Sequence, residues 1–223
     1  MRAVDRVGRL RGLAFALMLV LPSLVGAATS SSASTSVYLM RGLLDVSTGL
    51  DQLAARLKKR GVRARVDSYT AVSSLTAMAI RDYKNGTACP IVLIGHSLGA
   101  DAAVDMAAEL KRSGIPVALL VTFSPASALN VPSNVAQAVN FYQSDSFWNN
   151  RAADGRVRRH TSQNIDLAKD TSIDHLNIEK IGRLHARTLS LIAGASGACG
   201  GAKKVPIQIQ GAVSGTPQEK SDH

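Results

Sequence analysis

Apolar and polar residues follow one another along the chain in segments that predict strands and helices in turn. Short continuous apolar runs are typical of strands buried on both faces of a sheet, and strict alternation is typical of a half-buried strand. Apolar and polar residues alternate in VRARV at 62–66, whereas PIVLI at 90–94 is apolar throughout. Together these patterns predict strands at 36–40, 62–66, 90–94, 117–123, 137–142 and 163–168.

Helical periodicity separates the predicted strands. After Thr48, which can cap a helix, apolar residues recur at spacings of three and four until Gly61 ends the pattern. Three further helices are predicted at 71–84, 98–112 and 176–192. Strands that alternate with helices predict an α/β domain with a mostly parallel central sheet and helices on both faces.

The N-terminal residues have the layout of a secretory signal peptide. A basic segment at 2–11 precedes an apolar segment at 13–24, and Val25, Gly26 and Ala27 supply the small residues of a cleavage site. The apolar segment is shorter than the ~20 residues that span a bilayer, although an uncleaved anchor is the alternative. We therefore expect a signal at 1–27, a flexible lead-in at 28–35, a domain at 36–199, a flexible tail at 200–223, and a secreted or periplasmic protein.

Composition narrows the classes of function. The chain of 223 residues carries 26 Lys and Arg against 16 Asp and Glu, a formal net charge of +10. These charges are dispersed, no nucleic-acid-binding motif is present, and aromatic residues make up 4% of the chain, which argues against a platform for stacking bases. The two Cys and five His residues show no zinc-ligand spacing, so no metal or other cofactor is expected.

The segment most informative about chemistry follows the strand predicted at 90–94. Gly95-His96-Ser97-Leu98-Gly99 matches G-x-S-x-G and lies between a buried strand and a predicted helix. In this context a sharp turn lifts the serine hydroxyl off the carboxyl edge of the sheet, and small residues are needed where the backbones crowd. The positive end of the following helix favours a developing oxyanion.

With this motif in place, the chain resembles the α/β-hydrolase superfamily, and in particular its small lipase, esterase and thioesterase members. The resemblance extends over about residues 36–195 and includes GHSLGA, a common form of their nucleophile elbow. It implies a compact α/β-hydrolase fold with no large lid, a Ser–acid–His triad in that chain order with Ser97 as nucleophile, and ester-type substrates.

The base and the acid are sought at the carboxyl edge of the sheet. His175 follows the last predicted strand, where the family places its base, and is preferred over His96, His160, His185 and His223. Asp145 follows the strand at 137–142 and lies between Ser97 and His175 in the chain, so it is the predicted acid. The other carboxylates near His175 in the sequence are Asp166, Asp170 and Asp174.

Two backbone N–H groups are expected to stabilise the oxyanion. The N–H of Leu98 follows the nucleophile directly, and the N–H of Leu43 lies in the loop after the first strand of the domain. The family often has His-Gly in this loop, whereas this chain has Arg41-Gly42. Arg41 is interpreted as a surface charge, and contact with an anionic leaving group is the alternative.

The two cysteines are expected to lie at the amino edge of the sheet. Cys89 precedes a strand that starts at this edge, and Cys199 follows a helix that ends there. In an oxidising compartment they would form a disulfide, and two buried free thiols are the alternative.

The sequence thus predicts an exported serine hydrolase that cleaves a carboxylic ester or thioester through a Ser-His-Asp triad and an acyl-enzyme. Its expected partner is a small-molecule or lipid ester, with no nucleic acid and no membrane span after signal cleavage. An acyltransferase with the same triad and a non-catalytic envelope or binding protein on the same fold are the alternatives. The sequence leaves the acyl group, the alcohol or thiol group and the oligomeric state open.

Overall fold

A six-stranded sheet with the strand order β2-β1-β3-β4-β6-β8 forms the centre of the domain. In the computed structural model the described residues are 34–144, 156–159 and 162–196, and every strand pairing among them is parallel. The central strands are β1 (Ser34–Arg41), β2 (Arg63–Ser68), β3 (Ala88–His96), β4 (Val117–Phe123), β6 (Val135–Tyr142) and β8 (Ser162–Asp166). Two short strands, β5 (Leu129–Asn130) and β7 (Val157–Arg158), pair separately.

Helices cover both faces of the sheet. They are α1 (Thr48–Lys58), α2 (Val72–Lys84), α3 (Leu98–Arg112) and α4 (Gly182–Ala195), with 3-10 turns at Leu43–Asp45, Tyr69–Ala71 and Ile178–Lys180. An apolar core lies on each face of the sheet, and the side chains of β1 alternate between these two cores because successive side chains of a strand point to opposite faces. Tyr38 and Met40 pack with α2 and α3, whereas Val37 and Leu39 pack with α1 and α4. This arrangement confirms the predicted fold class, a parallel α/β sheet covered on both sides.

The strand order reverses between β1 and β3, and this reversal determines where a site can form. The chain leaves β1 through α1 towards β2 at one side, and it leaves β3 through α3 towards β4 at the other side. The loops after β1 and β3 therefore diverge and leave a crevice at the carboxyl edge of the sheet. Gly42 and Ser97, which directly follow these two strands, lie at this crevice.

Most element boundaries agree with the periodicity, but two helix starts do not. Ser47, not Thr48, precedes the first residue of α1, and its hydroxyl makes no helix cap. The last helix starts at Gly182, because Ile181 has extended backbone angles (φ −68°, ψ 118°) that interrupt the apolar pattern predicted to be helical from 176. His175 therefore lies in a turn seven residues before α4, and not at the start of that helix. The two-residue strands β5 and β7 are too short for any periodic signal.

Several predicted features lie outside the described residues. These are the signal at 1–27, most of the lead-in at 28–35, the tail at 200–223, Asp145, His160 and Cys199. Within the described ranges, no helix has both the length and the apolar character needed to cross a membrane. The same ranges contain no group of three or more His, Cys, Asp or Glu side chains that could hold a metal ion.

Candidate active site

Ser97 sits on a strained turn between β3 and α3. Its φ of 55° and ψ of −127° lie in a region that residues with a side chain rarely adopt, at a cost of ~1–3 kcal/mol. The flanking glycines permit this turn: a Cβ atom on Gly95 would overlap the carbonyl oxygen of Gly99, and one on Gly99 would overlap that of Met40. The Ser97 N–H donates to the carbonyl oxygen of Phe123 at 3.0 Å, which fixes the turn to the end of β4.

The structure brings the predicted nucleophile and base together. Nε2 of His175 lies 3.0 Å from Oγ of Ser97, within hydrogen-bond distance. His175 is 7% exposed and lies on the irregular segment between β8 and α4. Burial lowers the pKa of His175 below its ordinary value, an effect that the charge of Asp174 partly offsets. A neutral imidazole at this position can accept the proton of the Ser97 hydroxyl.

The alternative carboxylates are each engaged in local turns. Oδ1 of Asp166 accepts from the backbone N–H groups of Ser144 and Ala168, at 3.1 and 3.0 Å. Asp170 accepts from Ser172 and forms an ion pair with Arg183. Asp174 accepts from the N–H of Leu176 at 2.8 Å, so its carboxylate closes the turn that contains His175.

The chain that leads to Asp145 passes close to the base. The side-chain amide of Gln143 donates to the carbonyl oxygen of Ile173 at 2.5 Å, which ties the end of β6 to the segment before His175. Asp145 is two residues beyond Gln143, and successive Cα atoms are about 3.8 Å apart. Asp145 itself lies outside the described residues.

The loop after β1 presses against the nucleophile turn. A Cβ atom on Gly42 would lie 3.0 Å from Cβ of Ser97 and 3.0 Å from the carbonyl oxygen of His96. This close approach places Gly42, the residue before Leu43, beside Ser97. Leu98 is the first residue of α3, where backbone N–H groups have no acceptor within the helix. The two predicted oxyanion donors are thus the residues that directly follow Gly42 and Ser97 in the chain.

The guanidinium of Arg41 is engaged in an ion pair with Asp51. Its Nε and Nη2 atoms donate to Oδ2 and Oδ1 of Asp51 at 2.9 and 2.5 Å. Hydrogen bonding to Arg41 lowers the pKa of Asp51, which lies in the first turn of α1. Arg41 therefore joins β1 to α1 through a partly exposed ion pair.

His96 makes contacts that the sequence does not predict. It points away from the Ser97 hydroxyl, and its Nδ1 lies 2.8 Å from Oγ of Ser47 while its Nε2 lies 2.8 Å from the carbonyl oxygen of His175. The Ser47 hydroxyl also accepts from the N–H of Gly42 at 3.0 Å. Burial, reinforced by repulsion from His175, lowers the pKa of His96 to about 4. No local pattern in the sequence signals these contacts.

The site has an apolar rim, which we define as Leu43, Leu44, Val46 and Leu176. These side chains are 54%, 82%, 52% and 57% exposed, and they are the exposed large apolar residues of the described ranges. All of them lie on the two loops that border Ser97, one after β1 and one directly after His175. Contiguous exposed apolar surface beside a crevice is typical of a binding surface.

The sequence was compared with models of known protein families, and one family matches. The sequence model of the thioesterase domain matches residues 44–170, more than half of the chain. The match includes Ser97 and Asp145 and ends before His175. No curated protein sequence shows significant similarity to the chain.

Several solved structures are similar in fold. A putative hydrolase of the alpha/beta superfamily from Xanthomonas campestris pv. campestris has a TM-score of 0.43 at 16% identity, over 70% of this chain and 98% of that one. The RedJ thioesterase of the prodiginine pathway of Streptomyces coelicolor gives 0.45 at 10% identity, over 72% and 87%. The type II thioesterase BorB of the borrelidin biosynthetic cluster gives 0.43 at 11% identity, over 72% and 94%.

Proposed function

Because the chain belongs to the thioesterase-domain family and is a hydrolase that acts on ester bonds, we propose that Ser97 is its nucleophile and His175 its general base. The observation that carries this proposal is the 3.0 Å separation of Ser97 Oγ from His175 Nε2 on a strained turn that follows a buried strand. An activated serine needs a base within hydrogen-bond distance and backbone donors nearby.

The reaction is acyl transfer to the enzyme and then to water. Nε2 of His175 takes the hydroxyl proton while Oγ of Ser97 forms a bond to the carbonyl carbon, whose π electrons move to oxygen. The N–H groups of Leu43 and Leu98 stabilise this oxyanion. When the carbonyl re-forms, the bond to the leaving alkoxide or thiolate breaks, and the leaving group takes the proton from His175. Water then attacks the acyl-enzyme by the same steps, which release the carboxylic acid and restore Ser97.

Asp145 is the proposed third member of the triad. It would accept a hydrogen bond from the His175 ring and stabilise the imidazolium that forms during acylation. Two observations support this role: Gln143 ties the end of β6 to Ile173, and Asp166 and Asp170 are engaged in turns and an ion pair.

The proposed substrate is a carboxylic ester or thioester with an apolar acyl group. The apolar rim supports this choice, because it presents hydrocarbon to solvent on both loops beside Ser97. Each buried methylene of a substrate contributes about 0.8 kcal/mol to binding at such a surface. Arg41 does not provide a free positive charge for an anionic substrate, because it is paired with Asp51.

Export and a Cys89–Cys199 disulfide complete the proposal. The basic, apolar and small-residue segments at 1–27 support a cleavable signal. Cys89, which is the cysteine of the described ranges, is not a free thiol, and Cys199 is the other cysteine of the chain. An oxidising compartment outside the cytoplasm is where such a bond persists.

Labelling with a fluorophosphonate tests the nucleophile. Five forms of the secreted protein are incubated with the probe: the wild type, Ser97→Ala, His175→Ala and two control variants. The controls are Ser113→Ala, at the opposite end of α3, and His185→Gln, which replaces another buried histidine. We expect stoichiometric labelling of the wild type and both controls, none of Ser97→Ala, and a rate lowered by ~10³-fold or more in His175→Ala. A folded wild type that is not labelled would contradict the proposed nucleophile and favour a binding protein.

A further inference from the structure

Three hydrogen bonds connect the loop after β1 to the segment that carries the base. They run from the N–H of Gly42 to Ser47 Oγ, from Ser47 Oγ to His96 Nδ1, and from His96 Nε2 to the carbonyl oxygen of His175, at 3.0, 2.8 and 2.8 Å. We propose that Ser47 and His96 are positioning residues that hold the oxyanion-donor loop and the base in register with each other. This role rests on the proposed function of Ser97 and His175.

The proton positions along this chain follow from its two ends. The carbonyl oxygen of His175 can only accept, so Nε2 of His96 carries the proton. His96 is neutral at pH 7, and its Nδ1 is therefore an acceptor. Ser47 must donate to Nδ1, while a lone pair of the same oxygen receives the N–H of Gly42. Each group has one role that satisfies its neighbours, whereas the alternative tautomer would lose the bond to the carbonyl oxygen of His175.

Burial makes these bonds difficult to replace. Ser47 is 0% exposed and His96 is 3% exposed, so water cannot reach either side chain to replace a hydrogen-bond partner that is removed. A buried donor or acceptor left without a partner costs about 1–3 kcal/mol. The loop after β1 also contains Leu44 and Asp45 at φ values of 56°, a conformation that persists only where neighbouring contacts hold it.

The sheet itself does not join the two segments. The oxyanion-donor loop follows β1, whereas the His175 segment follows β8, and three strands lie between β1 and β8 in the sheet. No ladder hydrogen bonds can therefore set the distance between them. His96 ends β3, beside β1, and it reaches both segments with its two ring nitrogens. The bridge places the base and the oxyanion donors at the same bound carbonyl group.

The test pairs variants that remove a bond with variants that keep it. Ser47→Ala removes both contacts of the hydroxyl, whereas Ser47→Thr retains a hydroxyl on the same carbon. His96→Gln keeps an amide N–H for the carbonyl oxygen of His175 but loses the acceptor for Ser47. His185→Gln is the matched control, because His185 is also buried and its Nε2 also contacts a backbone carbonyl, that of Glu179, at 2.6 Å.

Turnover of p-nitrophenyl butyrate and melting temperature are measured for each variant. We expect Ser47→Ala and His96→Gln to lower kcat by ~10- to 100-fold with KM within about twofold, since oxyanion stabilisation acts in the transition state. Ser47→Thr should restore kcat to within about threefold of wild type, and His185→Gln should leave it unchanged. The double variant Ser47→Ala/His96→Gln should be no slower than the slower single variant, because both break one chain.

Three further outcomes distinguish an error in the hydrogen-bond chain, in the positioning role and in the proposed function. Nitrogen NMR of the wild type at pH 7 should show His96 neutral and protonated on Nε2, and a charged ring or the Nδ1–H tautomer would overturn the hydrogen-bond chain. A wild type that a fluorophosphonate labels, but whose Ser47→Ala and His96→Gln variants keep full kcat, overturns the positioning role alone. A folded wild type that is not labelled overturns the proposed function and the positioning role with it.

Discussion

Gly42 and Ser97 approach so closely that a Cβ atom on Gly42 would lie 3.0 Å from Cβ of Ser97. The φ of Gly42 is −79°, so its backbone conformation is open to any residue, and the constraint at this position is space rather than torsion. The contact relates the end of β1 to the end of β3 across the crevice where the strand order reverses. It also sets how near the N–H of Leu43 can come to a carbonyl bound at Ser97.

We expect Gly42→Ala to fold and to lose turnover. The added methyl group would displace the loop after β1 by a few tenths of an ångström and weaken the oxyanion donor, so kcat should fall by ~10-fold or more, up to the ~10²–10³-fold that loss of one donor costs. Steady-state kinetics with melting curves would show this loss at a nearly unchanged melting temperature. Gly194→Ala in α4, where a Cβ atom has open space, is the control and should leave kcat unchanged. Full turnover in Gly42→Ala would show that Leu43 is not an oxyanion donor.

The assignment of the acid predicts different effects for substitutions at Asp145 and Asp166. Asp145→Asn should lower kcat by ~10³–10⁴-fold, because an amide cannot stabilise the imidazolium of His175. Asp166→Asn should change kcat less than tenfold and lower the melting temperature instead, since Asp166 accepts from the N–H groups of Ser144 and Ala168. The reverse ranking of the two variants in kcat would reassign the acid to Asp166.

The buried imidazole of His96 predicts a loss of stability in mild acid. Its pKa falls from 6.5 to about 4 on folding, mainly through burial, with Lys180 and His175 as the other charges that lower it. Between these two values the unfolded chain binds a proton that the folded protein does not bind. The contribution of His96 to the free energy of unfolding is therefore largest above pH 6.5 and falls by up to ~1.4 kcal/mol per pH unit as the pH decreases towards 4.

Urea unfolding of the wild type and of His96→Gln between pH 7 and pH 5 isolates this effect. The lowered pKa values of His175 and His185 contribute to both curves and cancel in the difference. We expect His96→Gln to be less stable than wild type at pH 7 and to have the shallower slope. Parallel curves would mean that His96 binds its proton equally in the folded and unfolded states.

The apolar rim predicts a preference that depends on chain length. Leu44→Ser, at a side chain that is 82% exposed, should raise KM for p-nitrophenyl octanoate by ~3- to 10-fold and leave the acetate ester unaffected. Leu176→Ser, on the loop of the base, should show the same selectivity. Melting temperatures should stay within experimental scatter, because neither side chain packs in the core. Equal effects on both esters would show that the rim does not bind the acyl chain.

Local patterns in the sequence determined much of this protein. The alternation of apolar strands and helices predicted the covered parallel sheet, and α3 and β4 have the predicted bounds at 98–112 and 117–123. The glycines around Ser97 predicted the sharp turn, since small residues are needed where backbones meet. The resemblance to the α/β hydrolases implied a base after the last strand, at His175, and Nε2 of His175 lies 3.0 Å from Oγ of Ser97.

Only the tertiary structure decided how the loops at that edge are held. Ser47 and His96 are 49 residues apart, and His96 and His175 are 79 residues apart, so no periodicity relates them. The order of strands in the sheet brings them together, and burial removes water as an alternative hydrogen-bond partner. Ser47, which precedes α1, bonds to Gly42 and His96 and does not cap that helix, and His175 lies in a turn before α4. Sequence patterns describe one element at a time, whereas these contacts depend on which elements become neighbours.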